Sequence, residues 1–521
     1  MLSRLLGEKR VYSILVLAYS ALAVGITFNK VILSLATILL FTLVLFDFDF
    51  KKYAQAIRQN IIIQVLLLFL VVHIFSFFWS ENISYFLKDL NSKLPFYTIP
   101  LVFILKPLKS KKDLFLIFAL FLTSLTVISA FNFISYYSWR KIAYDDIRNL
   151  SFFISHIRFG LMIIFGLVLS IFWLKSAELK YKTIPIVLII WFLTYTYFSE
   201  VFSSYLALVG MLLVSLFYQI KFSSKKRIYL ILLSVIFLFS FFLAYKISND
   251  LNKNSRKPLQ SELKVITANG NLYEHDLNSN HFINGNFVFV NICRPELLKE
   301  WYKVSKVRIS DYNVNSHKYY YLLKYMASKG LTKDSLGFQS LNKSDIHNIE
   351  QGITNFKDEE EGFLNRINTL KNEFSDNDPN GKTILQRVEY LKAGFSIFKK
   401  NWFIGVGSGD IQDEFNAYYE KTNSKLKEEN RLRTHNQIFT YFISFGLVGG
   451  IIFLLLFLLS FKLFLKEKSL LAILFLVLIL VSFLSEDTLE TQMGATFFGL
   501  FFGIFISSTH LLKSKIKNNE N

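Results

Sequence analysis

The chain has 521 residues, of which 52% are hydrophobic and 17% aromatic, and its formal net charge is +19. Long apolar blocks such as 61–79 and 228–244 exclude an ordinary soluble protein, because about 20 apolar residues cross a hydrocarbon core of ~30 Å. The positive charge is dispersed over short loops, so we do not expect nucleic-acid binding through a basic patch. The single cysteine, Cys293, excludes an intrachain disulfide and a thiolate zinc site.

The apolar blocks predict an all-α, polytopic membrane protein of about twelve transmembrane helices. Continuous apolar runs lack the alternation of a membrane β-barrel, so each span has to be a helix. The fourth span is short and begins at Pro95, and we expect the first to be an uncleaved helix, not a signal peptide, because a second span follows at once. The predicted spans are 11–27, 31–47, 60–79, 94–105, 114–136, 159–174, 183–199, 203–220, 228–246, 436–461, 469–484 and 492–510.

The distribution of Lys and Arg predicts the orientation. With the amino terminus inside, the inside segments carry 23 Lys and Arg, and the short outside segments carry 7. This asymmetry follows the positive-inside rule. We therefore expect a multi-pass protein of the bacterial inner membrane with both termini in the cytoplasm.

Residues 247–435 form a polar insert between the ninth and tenth spans, which predicts a mixed, mainly helical periplasmic domain. The predicted domains are thus 1–246 with nine spans, 247–435, and 436–521 with three spans and a tail. Helical spacing recurs over 297–307 and 319–328, and a further helix is expected to start near Asp345. The earlier stretches 271–273 and 287–290 have the composition of short β-hairpins.

The last part of the insert contains the most informative pattern. Ile384, Val388, Leu391 and Phe395 recur at helical spacing, and Arg387 projects from the same apolar face. A guanidinium there needs an anion or carbonyl groups, because an unpaired buried charge is costly. Two interpretations stay open, an ion pair with Glu486 or Glu490 and the binding of an anionic substrate.

A glycine-rich stretch follows over 401–409, in which Gly405, Gly407 and Gly409 alternate with other residues. Glycine lets a backbone turn tightly or approach another group closely. The stretch lacks the Gly-Lys-Ser/Thr of a phosphate-binding loop and the strand–helix context of a dinucleotide fingerprint. By itself it is a weak signal.

Arg431, Arg433 and His435 lead directly into the tenth span. We predict that Thr434 caps this helix, which places His435 in its first turn, where free N–H groups favour phosphate and the helix dipole disfavours an imidazolium. His435 is then neutral and able to accept a proton. The alternative is an ordinary solvated histidine at a helix start.

Taken together, these motifs resemble the O-antigen ligase and polymerase family. The resemblance lies in the order of short motifs and in the large outside loop before the tenth span. The motifs are Ser155-His156-Ile157-Arg158, Arg387, Trp402–Gly409, His435-Asn436, Phe445–Gly449 and Ser485–Gln492.

The resemblance implies a metal-independent glycosyltransferase whose partners are an undecaprenyl-pyrophosphate-linked glycan donor, an acceptor and membrane lipids. It requires no cofactor. Arginine forks suit the leaving pyrophosphate, and a neutral histidine suits a general base. We expect His435 and Arg387 to be catalytic. The predicted substrate-binding residues are Arg158, Arg431, Arg433, Gly405, Gly407, Asn436, Glu486 and Glu490, with Glu486 and Glu490 orienting the others and Arg158 equally suited to interface anchoring. No spacing of His and carboxylates suggests a metal site.

One departure and several alternatives stay open. Family members often carry a Ser-Arg pair at the start of the eighth span, where this chain has Ser203-Ser204-Tyr205. Two explanations stay open: Arg140, Lys141 or Arg148 substitutes for the missing arginine, or the carrier headgroup is held differently. Within the enzyme class, the acceptor hydroxyl belongs to lipid A core (a ligase, which the pattern favours), to another carrier-linked unit (a polymerase) or to a protein side chain. The alternative from another class is a polysaccharide transporter or flippase.

Overall fold

The structure is a computed structural model. It describes residues 7–47, 49–140, 147–235, 238, 258–278, 281–307, 309, 317–356, 379–380 and 383–512. The chain divides into two compact units. The bundle unit comprises Met1–Ile231 and Gln386–Asn521, and the insert unit comprises Leu232–Leu385. The insert unit ends at Leu385, whereas the predicted periplasmic domain runs to 435, and the predicted domain boundaries stay a prediction.

The bundle unit is built from helices. Its amino-terminal part contains α1 (Glu8–Gly25), α2 (Lys30–Phe46), α3 (Phe50–Arg58), α4 (Ile61–Phe75), α5 (Ile83–Leu105), α6 (Lys111–Ser135), α7 (His156–Ser176), α8 (Thr183–Ser199) and α9 (Phe202–Phe222). In the insert unit lie β1 (Phe282–Ile283), β2 (Asn286–Phe287), α10 (Arg294–Val304), α11 (His317–Ser328), α12 (Ser335–Gln339) and α13 (Lys343–Glu350). The chain ends with α14 (Thr383–Lys400), α15 (Ile411–Lys421), α16 (Gln437–Lys466), α17 (Leu470–Ser485) and α18 (Gln492–Leu512).

Within the described part of the chain, six helices are long and apolar enough to cross a membrane. They are Ile61–Trp79, Lys111–Trp139, His156–Ser176, Leu179–Ser199, Phe202–Phe222 and Gln437–Lys466. Lys30–Phe46 and Phe50–Arg58 form a bent pair, and Leu470–Ser485 and Gln492–Ser508 are shorter apolar helices. The all-helical bundle is thus confirmed, while the number twelve stays a prediction. The predicted ninth span, 228–246, lies largely outside the described residues.

The fourth predicted span differs most from the structure. We predicted residues 94–105, but α5 begins eleven residues earlier, at Ile83, and Pro95 and Pro100 lie inside it. Polar residues in its first half, followed by Pro95, hid the helix from the apolar pattern. Helix α18 packs closely against it, because a Cβ at Gly499 would lie only 2.6 Å from the carbonyl oxygen of Pro95.

The core of the bundle unit is rich in phenylalanine rings. Phe165 lies 4.6 Å from Phe501 and 5.1 Å from Phe475, measured between ring centroids, and both pairs meet edge to face. Such aromatic pairs add about 0.5–1.5 kcal/mol each beyond burial of their area. They hold α7, α17 and α18 together, and the loops at one end of these helices carry the polar residues described below.

The insert unit has a separate apolar core around Trp301, Tyr325 and Met326. Its helices agree with the predicted ones to within a few residues, and Asn342 caps α13. A two-stranded antiparallel hairpin pairs Phe282 with Phe287. A further bridge joins Ile266 and Leu272. The sequence thus predicted short β-structure in this part, but not its register.

Candidate functional site

Polar residues from distant parts of the chain meet at one end of the bundle unit. Arg158 lies in the first turn of α7, Arg433 and His435 precede α16, and Glu486 and Glu490 lie in the loop between α17 and α18. We call these five residues together with Arg387 the outer cluster. The sequence named all six as candidates, and the structure places them in one region of the bundle through the contacts that follow.

Glu486 connects an arginine and the histidine. Its Oε1 accepts a hydrogen bond from Arg158 Nη2 at 2.8 Å, and its Oε2 lies 3.9 Å from His435 Nδ1, beyond hydrogen-bond distance. Arg158 Nη2 also donates to the carbonyl oxygen of Asp487 at 3.2 Å. Arg158 Nε is buried and has no hydrogen-bond partner among the described residues. This arginine therefore retains a donor for an anion.

Among the ion-paired residues of the outer cluster, His435 has the most exposed side chain, at 30%. The prediction that Thr434 caps the helix and that His435 lies in its first turn is wrong. Asn436 is the N-cap, and its side chain accepts from Phe439 N. Thr434 Oγ1 instead accepts from Asn436 N and bonds to Thr440 Oγ1 at 2.7 Å.

The backbone of His435 is left-handed, with φ 49°. A non-glycine residue in this region is uncommon and strained. This backbone conformation keeps His435 outside the helix that follows. His435 thus stands before the helix, next to Glu486 and with its ring centroid 5.6 Å from that of Tyr390.

Glu490 binds two cations. Its Oε2 accepts from Arg433 Nη1 at 3.1 Å, and its Oε1 lies 2.7 Å from Lys93 Nζ. Gln437 Nε2 also donates to Oε1 at 3.0 Å, while Gln437 Oε1 accepts from Leu489 N at 2.7 Å. These bonds fix the loop after α17 to the start of α16.

Sequence reasoning missed Lys93, Asp89 and His73. Lys93 Nζ lies 2.8 Å from Asp89 Oδ2, and His73 Nε2 lies 3.1 Å from the same oxygen. His73 Nδ1 is 3.0 Å from the Tyr97 hydroxyl. The i, i+4 spacing of Asp89 and Lys93 was a usable signal, but the segment was assigned to a loop.

Arg387 lies in α14 and reaches the end of α17, where its Nη2 donates to the carbonyl oxygen of Ser485 at 2.9 Å. This contact brings it beside Glu486. Arg431 turns toward its own loop, since its Nε donates to the carbonyl oxygen of Leu426 at 3.3 Å. Its role in substrate binding stays a prediction.

The glycine-rich stretch inserts into a break in α16. Gly446 interrupts that helix with φ 64°, and the freed backbone pairs with the stretch through Val406 N to Ile443 O and Leu447 N to Trp402 O. A Cβ at Gly405 would lie 2.4 Å from the Ser444 carbonyl. The glycines are thus explained by close backbone approach.

Protein groups already occupy the N–H groups of the two glycines that were predicted to bind substrate. Gly405 N donates to Asn401 O at 2.9 Å, and Gly407 N donates to Ser444 O at 2.9 Å. Asn436 likewise uses its side chain to cap α16. For these three residues the structure supplies a packing role, and substrate contact stays a prediction.

Burial and charge act together on the loop carboxylates. Burial raises the pKa of the Asp487 carboxyl, Arg433 opposes this shift, and Glu490 adds to it. Burial works against the charged form of Arg433, but the carboxylates of Glu490 and Asp487 hold its pKa above the ordinary value. Thr440 Oγ1 donates to Asp487 Oδ1 at 2.8 Å.

The expected Ser-Arg position lies at the start of α9. The Oγ atoms of Ser203 and Ser204 are buried without a hydrogen-bond partner among the described residues, and Ser204 Oγ lies 2.5 Å from where a Cβ on Gly160 would stand. Lys141 lies outside the described residues, as do the side chains of Arg140 and Arg148. In the part of the chain that the structure describes, no group of three His, Cys, Asp or Glu is arranged to hold a metal ion.

Comparison with protein families bears on the same region. Residues 353–454 match the family described as O-Antigen ligase. The match covers about a fifth of the chain and includes Arg387, Arg433 and His435. It confirms the resemblance predicted from the motifs, and together with the apolar helices it indicates an integral membrane protein. A search of curated proteins finds no significant match.

Proposed function

We propose that the protein transfers a glycan from an undecaprenyl-pyrophosphate carrier to an acceptor hydroxyl at the periplasmic face of the bacterial inner membrane, with lipid A core as the acceptor. The observation that carries this proposal is the position of His435. It lies within the matched segment, partly exposed, 3.9 Å from Glu486 and beside the arginines of the outer cluster. In this proposal both termini are cytoplasmic.

The proposed reaction is a single inverting displacement. The acceptor oxygen attacks the anomeric carbon and forms the new glycosidic bond, while the bond to the pyrophosphate oxygen breaks and the carrier leaves with the electron pair. His435 takes the hydroxyl proton, a role worth about 10²–10⁴-fold in rate. Glu486 orients His435 and stabilises the imidazolium as it forms.

The cations of the outer cluster stabilise the leaving group. Arg158, Arg387 and Arg433 present planar guanidinium groups, which bind phosphate oxygens bidentately. Because these positive charges are fixed before the reaction, they stabilise the charge that grows on the pyrophosphate without reorganisation. The proposal therefore assigns charge neutralisation to side chains and requires no metal.

Transport remains the second candidate because of one observation. Helix α5 carries the buried ion pair of Asp89 and Lys93. Lys93 lies ten residues, about 15 Å of helix, from the start of α5. Ionisable residues inside a membrane bundle often mark a transport path.

A complementation experiment separates these functions. A strain lacking the gene receives wild type, His435→Ala or Arg387→Ala at matched expression, and the surface glycans are resolved on a gel. We expect wild type to restore a polymer ladder on lipid A core and both variants to leave glycan on the carrier. His347→Ala, in the insert, and Lys399→Ala, exposed in α14, are the matched controls.

The other outcomes name the alternatives. A ladder that stays attached but shortens to one unit in the variants identifies a polymerase. Glycan that appears on protein in place of lipid A core identifies a protein O-glycosyltransferase. Full complementation by both variants contradicts the assigned mechanism and returns transport to consideration.

A further inference from the structure

Lys93 is a buried lysine that the proposed reaction does not use directly. It stands in the first half of α5 with only 3% of its side chain exposed, between the carboxylates of Asp89 and Glu490. Its Nζ also lies 4.9 Å from the centroid of the Tyr441 ring. A buried charge is kept only with strong partners, and here it has two carboxylates.

The two oxygens of Glu490 have different partners. Oε1 accepts from Lys93 at 2.7 Å and from Gln437 at 3.0 Å, whereas Oε2 accepts from Arg433 at 3.1 Å. A carboxylate and a guanidinium otherwise tend to form a fork with two parallel hydrogen bonds. Because Lys93 and Gln437 together occupy Oε1, Glu490 holds Arg433 through one oxygen only.

This arrangement leaves Arg433 most of its donors. A guanidinium has five N–H groups, and within the described residues Arg433 uses Nη1 for its hydrogen bond to Glu490. Its side chain is 16% exposed, so the remaining donors are not sealed inside the bundle. In chemical terms, a guanidinium with such remaining donors can bind a second anion beside the carboxylate that positions it.

We propose that Lys93 is a positioning residue for the glycan donor, because it shares Glu490 with Arg433 and so keeps Arg433 available to the donor pyrophosphate. The inference rests on the proposed function and deepens it. Loss of Lys93 leaves only the neutral Gln437 amide on Oε1, and Arg433 then displaces this weaker donor to form a bidentate pair with Glu490 that competes with the pyrophosphate. Asp89 holds Lys93 in place from the opposite side.

The test uses the full-length protein in lipid nanodiscs and measures binding of undecaprenyl pyrophosphate by native mass spectrometry. Lys93→Met is combined with Asp89→Asn, so that no unpaired carboxylate remains. We expect affinity to fall about tenfold, with binding of undecaprenol unchanged. Lys88→Met, an exposed lysine of the same helix, is the matched control and should behave as wild type.

A third substitution separates positioning from a merely structural role. Glu490→Gln added to the double variant removes the carboxylate that competes for Arg433, so affinity should recover toward the wild-type value. If Lys93 only stabilises the bundle, the triple variant binds no better than the double variant and melts at a lower temperature. That result, or a double variant that binds as wild type does, overturns the inference.

Failure of the proposed function has a different signature. In that case wild type binds undecaprenyl pyrophosphate no better than undecaprenol, and Arg433→Ala has no effect. If wild type binds selectively and Arg433→Ala abolishes the selectivity, the function stands, and the Lys93 variants then decide the inference by themselves.

Discussion

The bundle unit and the insert unit bury carboxylates in different ways. In the bundle, the side chain of Glu490 is 5% exposed and its partners include two cations, Lys93 and Arg433. In the insert, Glu296 is 7% exposed and its hydrogen bonds come from neutral groups. The donors to Glu296 are Thr267 Oγ1 at 2.6 Å, Asn271 Nδ2 at 2.7 Å and Ser335 N at 3.1 Å.

This difference in partners leads us to expect a functional role for Glu490 and a structural role for Glu296. The described donors to Glu296 are neutral and bring no cation that would attract an anion. In the proposed function, the cations around Glu490 and Glu486 use their further N–H groups to bind a phosphate. Substitutions in the outer cluster should therefore change activity, and substitutions around Glu296 should change stability.

The largest expected effect is on activity in the bundle. His435→Ala should reduce glycan transfer by about 10²–10⁴-fold, because the general base is lost, and leave the melting temperature unchanged. Transfer is measured with purified protein and a carrier-linked donor, beside His347→Ala as control. A loss smaller than tenfold would show that another group takes the proton.

A second substitution tests whether the bundle also contains purely structural positions. Gly446→Ala forces a side chain onto φ 64° and places its Cβ 2.1 Å from the Phe403 carbonyl oxygen. We expect destabilisation of about 3 kcal/mol or more, since strain and a backbone clash add. Thermal unfolding measures it, with Gly210→Ala as control, whose nearest neighbour is a side-chain methyl of Val481 at 3.3 Å. Equal melting temperatures for the two variants would contradict the helix break.

The insert should respond to Glu296→Gln through stability alone. The uncharged amide loses charge-assisted hydrogen bonds, which costs roughly 2 kcal/mol. Hydrogen exchange in peptides covering Arg294–Val304 of the full-length protein reports the local unfolding, and transfer activity should be unchanged. Glu274→Gln, an exposed position in the same unit, is the control. A fall in transfer activity without a change in protection from hydrogen exchange would contradict the distinction between the two regions.

The same carboxyl predicts a pH dependence. Burial raises the pKa of Glu296, but hydrogen bonds from Asn271, Thr267 and Ser335 outweigh this and lower it from 4.5 to about 2. The folded insert therefore binds fewer protons than the unfolded one between these values. Its stability from Glu296 is fully present above pH ~4.5 and is lost as pH falls toward 2. Glu296→Gln should remove this part of the acid sensitivity.

The smallest effect concerns the start of α5. Asp410 accepts hydrogen bonds from Glu81 N at 2.9 Å and Asn82 N at 2.8 Å, and so fixes the turn before that helix. Asp410→Ala should cost about 1 kcal/mol, as the loss of other helix caps does. Differential scanning fluorimetry with Glu420→Ala as control detects it. A melting temperature equal to the control would show that water replaces the carboxylate.

The sequence predicted the outer cluster where an ionisable residue borders an apolar run. Arg158, His435, Glu486 and Glu490 all stand at such borders, and the structure gathers them. The sequence pattern did not predict the first half of α5, because polar residues and Pro95 interrupt the apolar run there. Sequence reasoning therefore missed Asp89 and Lys93. It also named Thr434 as the helix cap, because local pattern does not distinguish it from Asn436, which has an equally suitable side chain.

The sequence by itself determined that the protein is an all-helical membrane protein and named charged residues that the structure brings together, because hydrophobic length and charge spacing are local properties of a chain. Only the tertiary structure decided which cation faces which carboxylate and why the glycines of 401–409 are needed. Pairings such as Lys93 with Glu490 join residues almost four hundred positions apart. They depend on how α5 and α18 pack, and no local pattern encodes that geometry.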